Sequence, residues 1–173
     1  MSMTRHQREH IGQTVTQGVL LGIAGGLAEI AWIGSYGSLA GTDAAEVARA
    51  VSATVGRMLP NASFAAAPVF YGIVVHMIAA VGIGVALAFL WRWTRAYRPS
   101  RFDEYGFMLS ALAIIWVLNF FVVLPLISPA FVDLVPYPAS LASKLLFGVA
   151  GALMLRYTES NRSALLPIHV HRR

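Results

Sequence analysis

The sequence predicts an all-α membrane protein, a bundle of four transmembrane helices with one amphipathic helix on its outer surface. Three observations predict it. Hydrophobic residues make up 57% of the 173 residues and charged residues only 12%, with a mean hydropathy of +0.65. Soluble domains carry about a quarter charged residues. The apolar residues fall into four runs, each long enough to cross a hydrocarbon core of ~30 Å. The arginines gather beside these runs, where they act as topology signals and headgroup contacts. A net charge of +5 and a pI near 10.1 therefore point to a bilayer and away from nucleic acid. The chain has no cysteine, which excludes disulfides, thiolate metal sites, iron–sulfur clusters and thiol redox chemistry.

Residues 1–13 are polar and basic, with Arg5, Arg8, His6 and His10. The first span follows at 14–39. Its start could pass for a signal peptide, with Ser38-Leu39-Ala40 as the cleavage site. The run is longer than an h-region of ~7–15 residues, however, and holds Glu29, so we read it as a retained helix. Gly18, Gly22 and Gly26 recur every four residues in it. At ~100° per residue Glu29 falls on nearly the same face as Gly18, Gly22 and Gly25, where another helix can come closest.

Residues 43–59 read as an amphipathic helix lying along the membrane surface or over the bundle mouth. Asp43 and Glu46 make a capping-box-like start. Val47, Val51, Val55, Met58 and Leu59 share one side at helical spacing, with Arg49, Ser52 and Arg57 mostly elsewhere. Pro60 stops it. The second span, 66–91, is apolar except for Tyr71 and His76 and ends in Trp91-Arg92-Trp93, an interface signature. A polar loop with Arg92, Arg95, Arg98 and Arg101 follows. The third span, 105–127, is interrupted by Asn119 and closed near Pro125. A stiff loop, 128–138, holds Pro129, Pro136, Pro138 and the single charge Asp133. The fourth span, 139–157, contains Lys144, and a basic tail ends the chain. The basic residues concentrate in the N-terminal segment, the 92–104 loop and the tail, which puts both termini in the cytoplasm. We expect one membrane domain, 1–173.

Each span contributes one strongly polar residue: Glu29, His76, Asn119 and Lys144. Each lies roughly 6–11 residues in from the outer end, or ~9–16 Å at the helical rise, so the four form an intramembrane polar cluster at one level. Small residues accompany them: Gly72, Ala80 and Gly84 around His76, and Ser140, Gly148 and Ala152 around Lys144. Such stripes let backbones approach closely, so Gly18, Gly22, Gly26, Gly72, Gly84 and Gly148 are read as helix-packing positions. Lipid exposure of an ionised residue costs ~2.5–3.5 kcal/mol on insertion scales. Glu29 is therefore expected to pair with Lys144, with His76 and Asn119 meeting the remaining lone pairs and N–H groups.

His76 is the only histidine in a span, which argues against bis-histidine haem. Glu29 and His76 alone are too few ligands for a metal. His169 and His171 in the tail are expected to be solvated. Trp32, Tyr36, Tyr71, Trp116, Phe120 and Phe121 are read as packing and interface aromatics. The sequence holds no nucleophile–base motif, P-loop or dinucleotide fingerprint. No cofactor and no enzyme activity are expected.

Two family resemblances arise. Ala28-Glu29-Ile30 inside a glycine-rich first helix resembles the membrane-embedded glutamate of small multidrug resistance transporters. That likeness covers one helix and implies an acid that alternately binds protons and cationic drugs. The run Ser143-Lys144-Leu145-Leu146-Phe147-Gly148, with His76 followed by small residues, is similar to small four-helix bacterial inner-membrane proteins of the YagU-like kind. It covers most of the spans and implies a fold and a location, the bacterial inner membrane. The expected function is a non-enzymatic accessory subunit or self-associating bundle. Its partners are the lipid bilayer and a membrane protein or further copies of the chain. The alternative is a small proton-coupled transporter or channel using Glu29, His76 and Lys144.

Overall fold

The computed structural model of the protein describes residues 5–41, 43–59, 67–97 and 103–165. Pro60, Arg98, Arg101, His169 and His171 lie outside them. Every described element is helical: α1 (Arg5–Ala40), α2 (Ala44–Met58), α3 (Pro68–Tyr97), α4 (Glu104–Leu118), a π-helical turn (Asn119–Val123), α5 (Leu124–Ile127), α6 (Pro129–Leu134) and α7 (Tyr137–Leu165). Four stretches are long and apolar enough to cross a membrane: Glu9–Ala40, Pro68–Tyr97, Glu104–Ile127 and Tyr137–Ser160.

α1 is the central helix. It packs along α3 on one side and α7 on another, while α4 packs on α7. The start of α1, the end of α3 and the end of α7 meet at one end of the bundle, called here the terminal end. The Arg92 guanidinium donates to the His10 carbonyl and to the Thr14 hydroxyl there. The Gln17 amide donates to the Thr158 hydroxyl at 2.9 Å. Glu159 accepts from the Trp91 indole at 3.2 Å and from Arg95 at 2.6 Å. The loop expected from residue 92 thus begins later. α3 continues through Arg92 and Arg95, because both find partners on neighbouring helices.

Lipid tails are as apolar as leucine, so helices in a bilayer associate through close packing and interhelical hydrogen bonds. The α1–α3 contact illustrates this. A Cβ on Gly18 would collide with the backbone of Val85, and one on Gly84 with the backbones of Gly18 and Gly22. Two helix backbones touch without side chains between them. Elsewhere small residues receive large ones: Gly25 faces the Phe147 ring, Gly151 faces Leu21, and Gly148 faces Leu109 and Leu112. Leu21, Leu87, Trp91, Met108, Leu112, Phe147 and Leu155 form the main core. Trp116, Phe120 and Leu124 form a smaller one toward the far end.

α2 forms as its capping pattern predicts, with the Asp43 carboxylate accepting from the Ala45 N–H at 2.8 Å. Its buried side differs from the expected one. Met58 and Leu59 are exposed, whereas Ser52 and Thr54 are buried. α2 packs on α3, where the Ala48 carbonyl abuts Gly72, and it reaches the α5–α6 junction through Ser128. The Ser128 hydroxyl pairs with the Thr54 hydroxyl at 2.9 Å and accepts from Arg57 at 2.8 Å. Ser52 and Thr54 face the bundle because their hydroxyls are satisfied locally, on the Arg49 and Ala50 carbonyls; such back-bonding lets short polar side chains enter a helix contact. α3 and α4 come together at the terminal end, where Trp91 meets Phe107. α2 thus packs on α3 and reaches α6.

The third span runs over Glu104–Ile127, with its α-helix interrupted at Asn119 and its end two residues past Pro125, as expected. The chain passes through a π turn, with the Leu124 N–H on the Asn119 carbonyl, and Pro125 sits in the first turn of α5. Proline lacks an N–H and its ring crowds the carbonyl four residues back; a widened turn accommodates both. The expected 128–138 loop contains α6, started by Pro129, whose fixed φ suits a first helical position.

Candidate functional site

The residues that pack α1 into the bundle form a run of buried positions: Thr14, Gln17, Gly18, Leu21, Gly22, Gly25, Gly26 and Glu29. They recur at helical spacing, so the stripe that brings α1 against α3 and α7 also carries Glu29 inward. The Glu29 side chain is 4% exposed. Glu29 lies eleven residues before the end of α1 at Ala40, roughly 16 Å at the helical rise. The surrounding groups are therefore its solvent.

Lys144 of α7 supplies the counter-charge. Its Nζ lies 2.6 Å from Glu29 Oε1, and its side chain is 15% exposed. It is the one lysine of the sequence; every other permanent cation is arginine. The ammonium also lies 5.9 Å from the Phe147 ring centroid, a cation–π distance. Ser143 lies beside Lys144 and donates its hydroxyl toward Glu29 Oε1 at 3.4 Å. On the other side stands His76 of α3, with Nε2 3.6 Å from Glu29 Oε2 and a side chain 28% exposed. Glu29 Oε2 and His76 Nε2 are both buried, and neither has a hydrogen-bond partner.

Three of the four expected cluster members therefore meet: Glu29, His76 and Lys144. Asn119 does not join them. It opens the π turn on the span that packs against α7, and the hydrogen bonds and ion pairs of the three do not include it. Matching depth does not imply matching azimuth, and α4 touches α7 on a different side from α1. Ser143 stands where Asn119 was expected, as the neutral donor to the carboxylate. Sequence reasoning passed over Ser143, although it adjoins Lys144, and over the terminal-end network of Thr14, Gln17, Trp91, Thr158 and Glu159. The spacing of Thr14 and Gln17 ahead of Leu21 and Gly25 is the signal that would have found the latter.

The aromatic residues are mostly structural. The Trp32 indole donates to the Ala139 carbonyl at 2.9 Å and the Trp116 indole to Ser140 at 2.9 Å. Trp116 also packs with Phe120 and Phe121. A cavity of about 320 Å³ lies at the far end, lined by Ile33, Tyr36, Asp43, Glu46, Leu134 and Val135 among others. Ile33 is one helical turn beyond Glu29. Among the described residues no group of three or more His, Asp or Glu side chains is gathered where a metal ion could sit.

The site thus holds a carboxylate, an ammonium and an imidazole on three different helices, with the carboxylate the most buried of the three. Such a set ties α1, α3 and α7 in one register. It also has one oxygen and one nitrogen in reserve. No family model, curated protein or solved structure matches the chain.

Proposed function

We propose that the chain is a non-enzymatic integral component of the bacterial inner membrane, an accessory subunit or self-associating bundle, with both termini in the cytoplasm. The observation that carries this reading is the Glu29–Lys144 ion pair at 2.6 Å between the first and last spans. It commits the most polar side chains of the spans to one another. Buried polar contacts of this kind are best attested as devices that fix register. The unpartnered faces of the bundle are apolar: Ile78, Ile114, Phe121 and Leu126 are all more than half exposed. These faces suit lipid and neighbouring transmembrane helices. Arg92, Arg95 and Arg156 at the terminal end outnumber Arg49 and Arg57 at the far end, which supports a cytoplasmic terminal end. The resemblance to small four-helix inner-membrane proteins points the same way.

The test is extraction from native membranes in mild detergent, followed by mass determination of the intact complex. The reading expects the chain in a larger assembly, with partners or with itself. A chain that stays monomeric at every concentration, with nothing bound, contradicts it. The unpartnered Glu29 Oε2 and His76 Nε2 favour a second function, a small proton-coupled transporter or channel. Its test is proton or solute flux in proteoliposomes, and flux unchanged by Glu29→Gln removes it.

A further inference from the structure

The Glu29–Lys144 pair leaves half of the carboxylate unused. Oε2 points to His76 Nε2 across 3.6 Å, both atoms are buried, and neither has a partner. A buried carboxylate oxygen without a donor is costly. The imidazole decides what fills the gap. A neutral imidazole carries one ring proton, on Nδ1 or on Nε2. With the proton on Nδ1, the bare Nε2 lone pair faces Oε2, so two acceptors oppose each other. Only a proton on Nε2 turns that opposition into a hydrogen bond, since an imidazolium donates from both nitrogens.

We propose that Glu29 and His76 form a proton-binding site, which takes one proton from water onto His76 Nε2 and hydrogen-bonds it to Glu29 Oε2. The charge balance is simple. The Glu29–Lys144 pair is neutral with the imidazole uncharged, and the bound proton makes the cluster +1. α1 brings the Glu29 carboxylate, which attracts the proton, and α7 brings the Lys144 ammonium, which repels it. From α2 the contact one turn away is the Ala48 carbonyl against Gly72, which carries no charge. The His76 side chain is 28% exposed against 4% for Glu29, so the proton enters and leaves through the imidazole. The bound proton closes the gap between Oε2 on α1 and Nε2 on α3 at the level of the ion pair. This inference rests on the Glu29–Lys144 pair of the proposed function.

The test is nitrogen NMR of protein labelled with ¹⁵N-histidine and ¹⁵N-lysine in lipid nanodiscs, between pH 4.5 and pH 8.5. His76→Gln assigns the ring. The expected result is a neutral His76 protonated on Nδ1 at high pH that becomes an imidazolium as pH falls. Glu29→Gln should move that transition to at least tenfold higher proton concentration. Should Glu29→Gln fail to fold, Glu29→Gln with Lys144→Met gives the same comparison without a stranded ammonium. A ring that stays neutral with its proton on Nε2 throughout overturns the proposal, as does a transition indifferent to Glu29. The single lysine signal separates the two readings. An ammonium coupled to the Glu29 carboxylate beside a non-titrating His76 leaves the register lock standing and removes the proton site.

Discussion

Replacing Lys144 with methionine tests the ion pair most severely. Methionine retains much of the stem and deletes the charge. Glu29 Oε1 would keep the Ser143 hydroxyl at 3.4 Å as its remaining donor, and Oε2 already has none. Breaking a buried pair by removing one partner destabilises by ~3–5 kcal/mol, or roughly two to four orders of magnitude in the folded-to-unfolded ratio. If Glu29 escapes by taking up a proton, the loss lies at the lower end. The double variant Glu29→Gln with Lys144→Met removes both charges and leaves an amide that Ser143 and His76 can meet. Exchanging a whole buried pair for neutral groups is often neutral or stabilising, so the double variant should lie within ~1 kcal/mol of the parent. Unfolding in mixed micelles with added SDS, followed by the fluorescence of the four tryptophans, measures all three proteins. A double variant as damaged as the single one, or a single variant equal to the parent, would refute the reasoning.

Further predictions concern packing, the α2 tether, topology and capping. Gly84→Leu should destabilise by more than the ~1–3 kcal/mol of ordinary overpacking, because its Cβ meets the α1 backbone. Gly82→Ala, with open space around the new Cβ, should be neutral or slightly stabilising in the same assay. Ser128→Ala removes the hydroxyl that Thr54 and Arg57 share; amide exchange across 44–58 should rise at least several-fold, with the exchange of α1 unchanged. The parent has no cysteine, so Leu39→Cys and Tyr97→Cys, at positions 90% and 74% exposed, report sidedness. An impermeant maleimide added to intact cells should label the first alone. The Ala45 N–H and Arg49 hold the Asp43 carboxyl below its ordinary value of 3.8. A lowered acid contributes fully above its unfolded pKa, so protection of the Ala45 amide should persist through pH 4 and fade only as pH falls through the lower value. Fading already at pH 5–6 would contradict the cap.

The four apolar runs were legible because length and hydropathy alone define a span. The α1–α3 seam was legible from Gly18, Gly22, Gly26 and Gly84, since only small residues allow such approach. The Glu29–Lys144 contact followed from charge neutrality in a medium without water. Less could be read where azimuth mattered. Asn119 has the depth of the cluster but sits on a helix whose neighbour is α7, and nothing in a hydropathy pattern reports which helices touch. α2 misled for a related reason. Its valines mark an apolar side, yet hydroxyls bonded to their own backbone let Ser52 and Thr54 turn inward. The π turn before Pro125 is a backbone solution that residue types do not announce.

The most direct test of the ion pair uses the chain's one lysine. Protein with ¹⁵N on the lysine side chain and ¹³C on glutamate carboxyls, reconstituted in lipid, allows the dipolar coupling between Lys144 Nζ and Glu29 to be measured by solid-state NMR, with Glu29→Gln assigning the signal. A coupling of direct-contact strength, lost in that variant, is the predicted result. Its absence from well-folded protein would mean that the first and last spans are not joined by this pair.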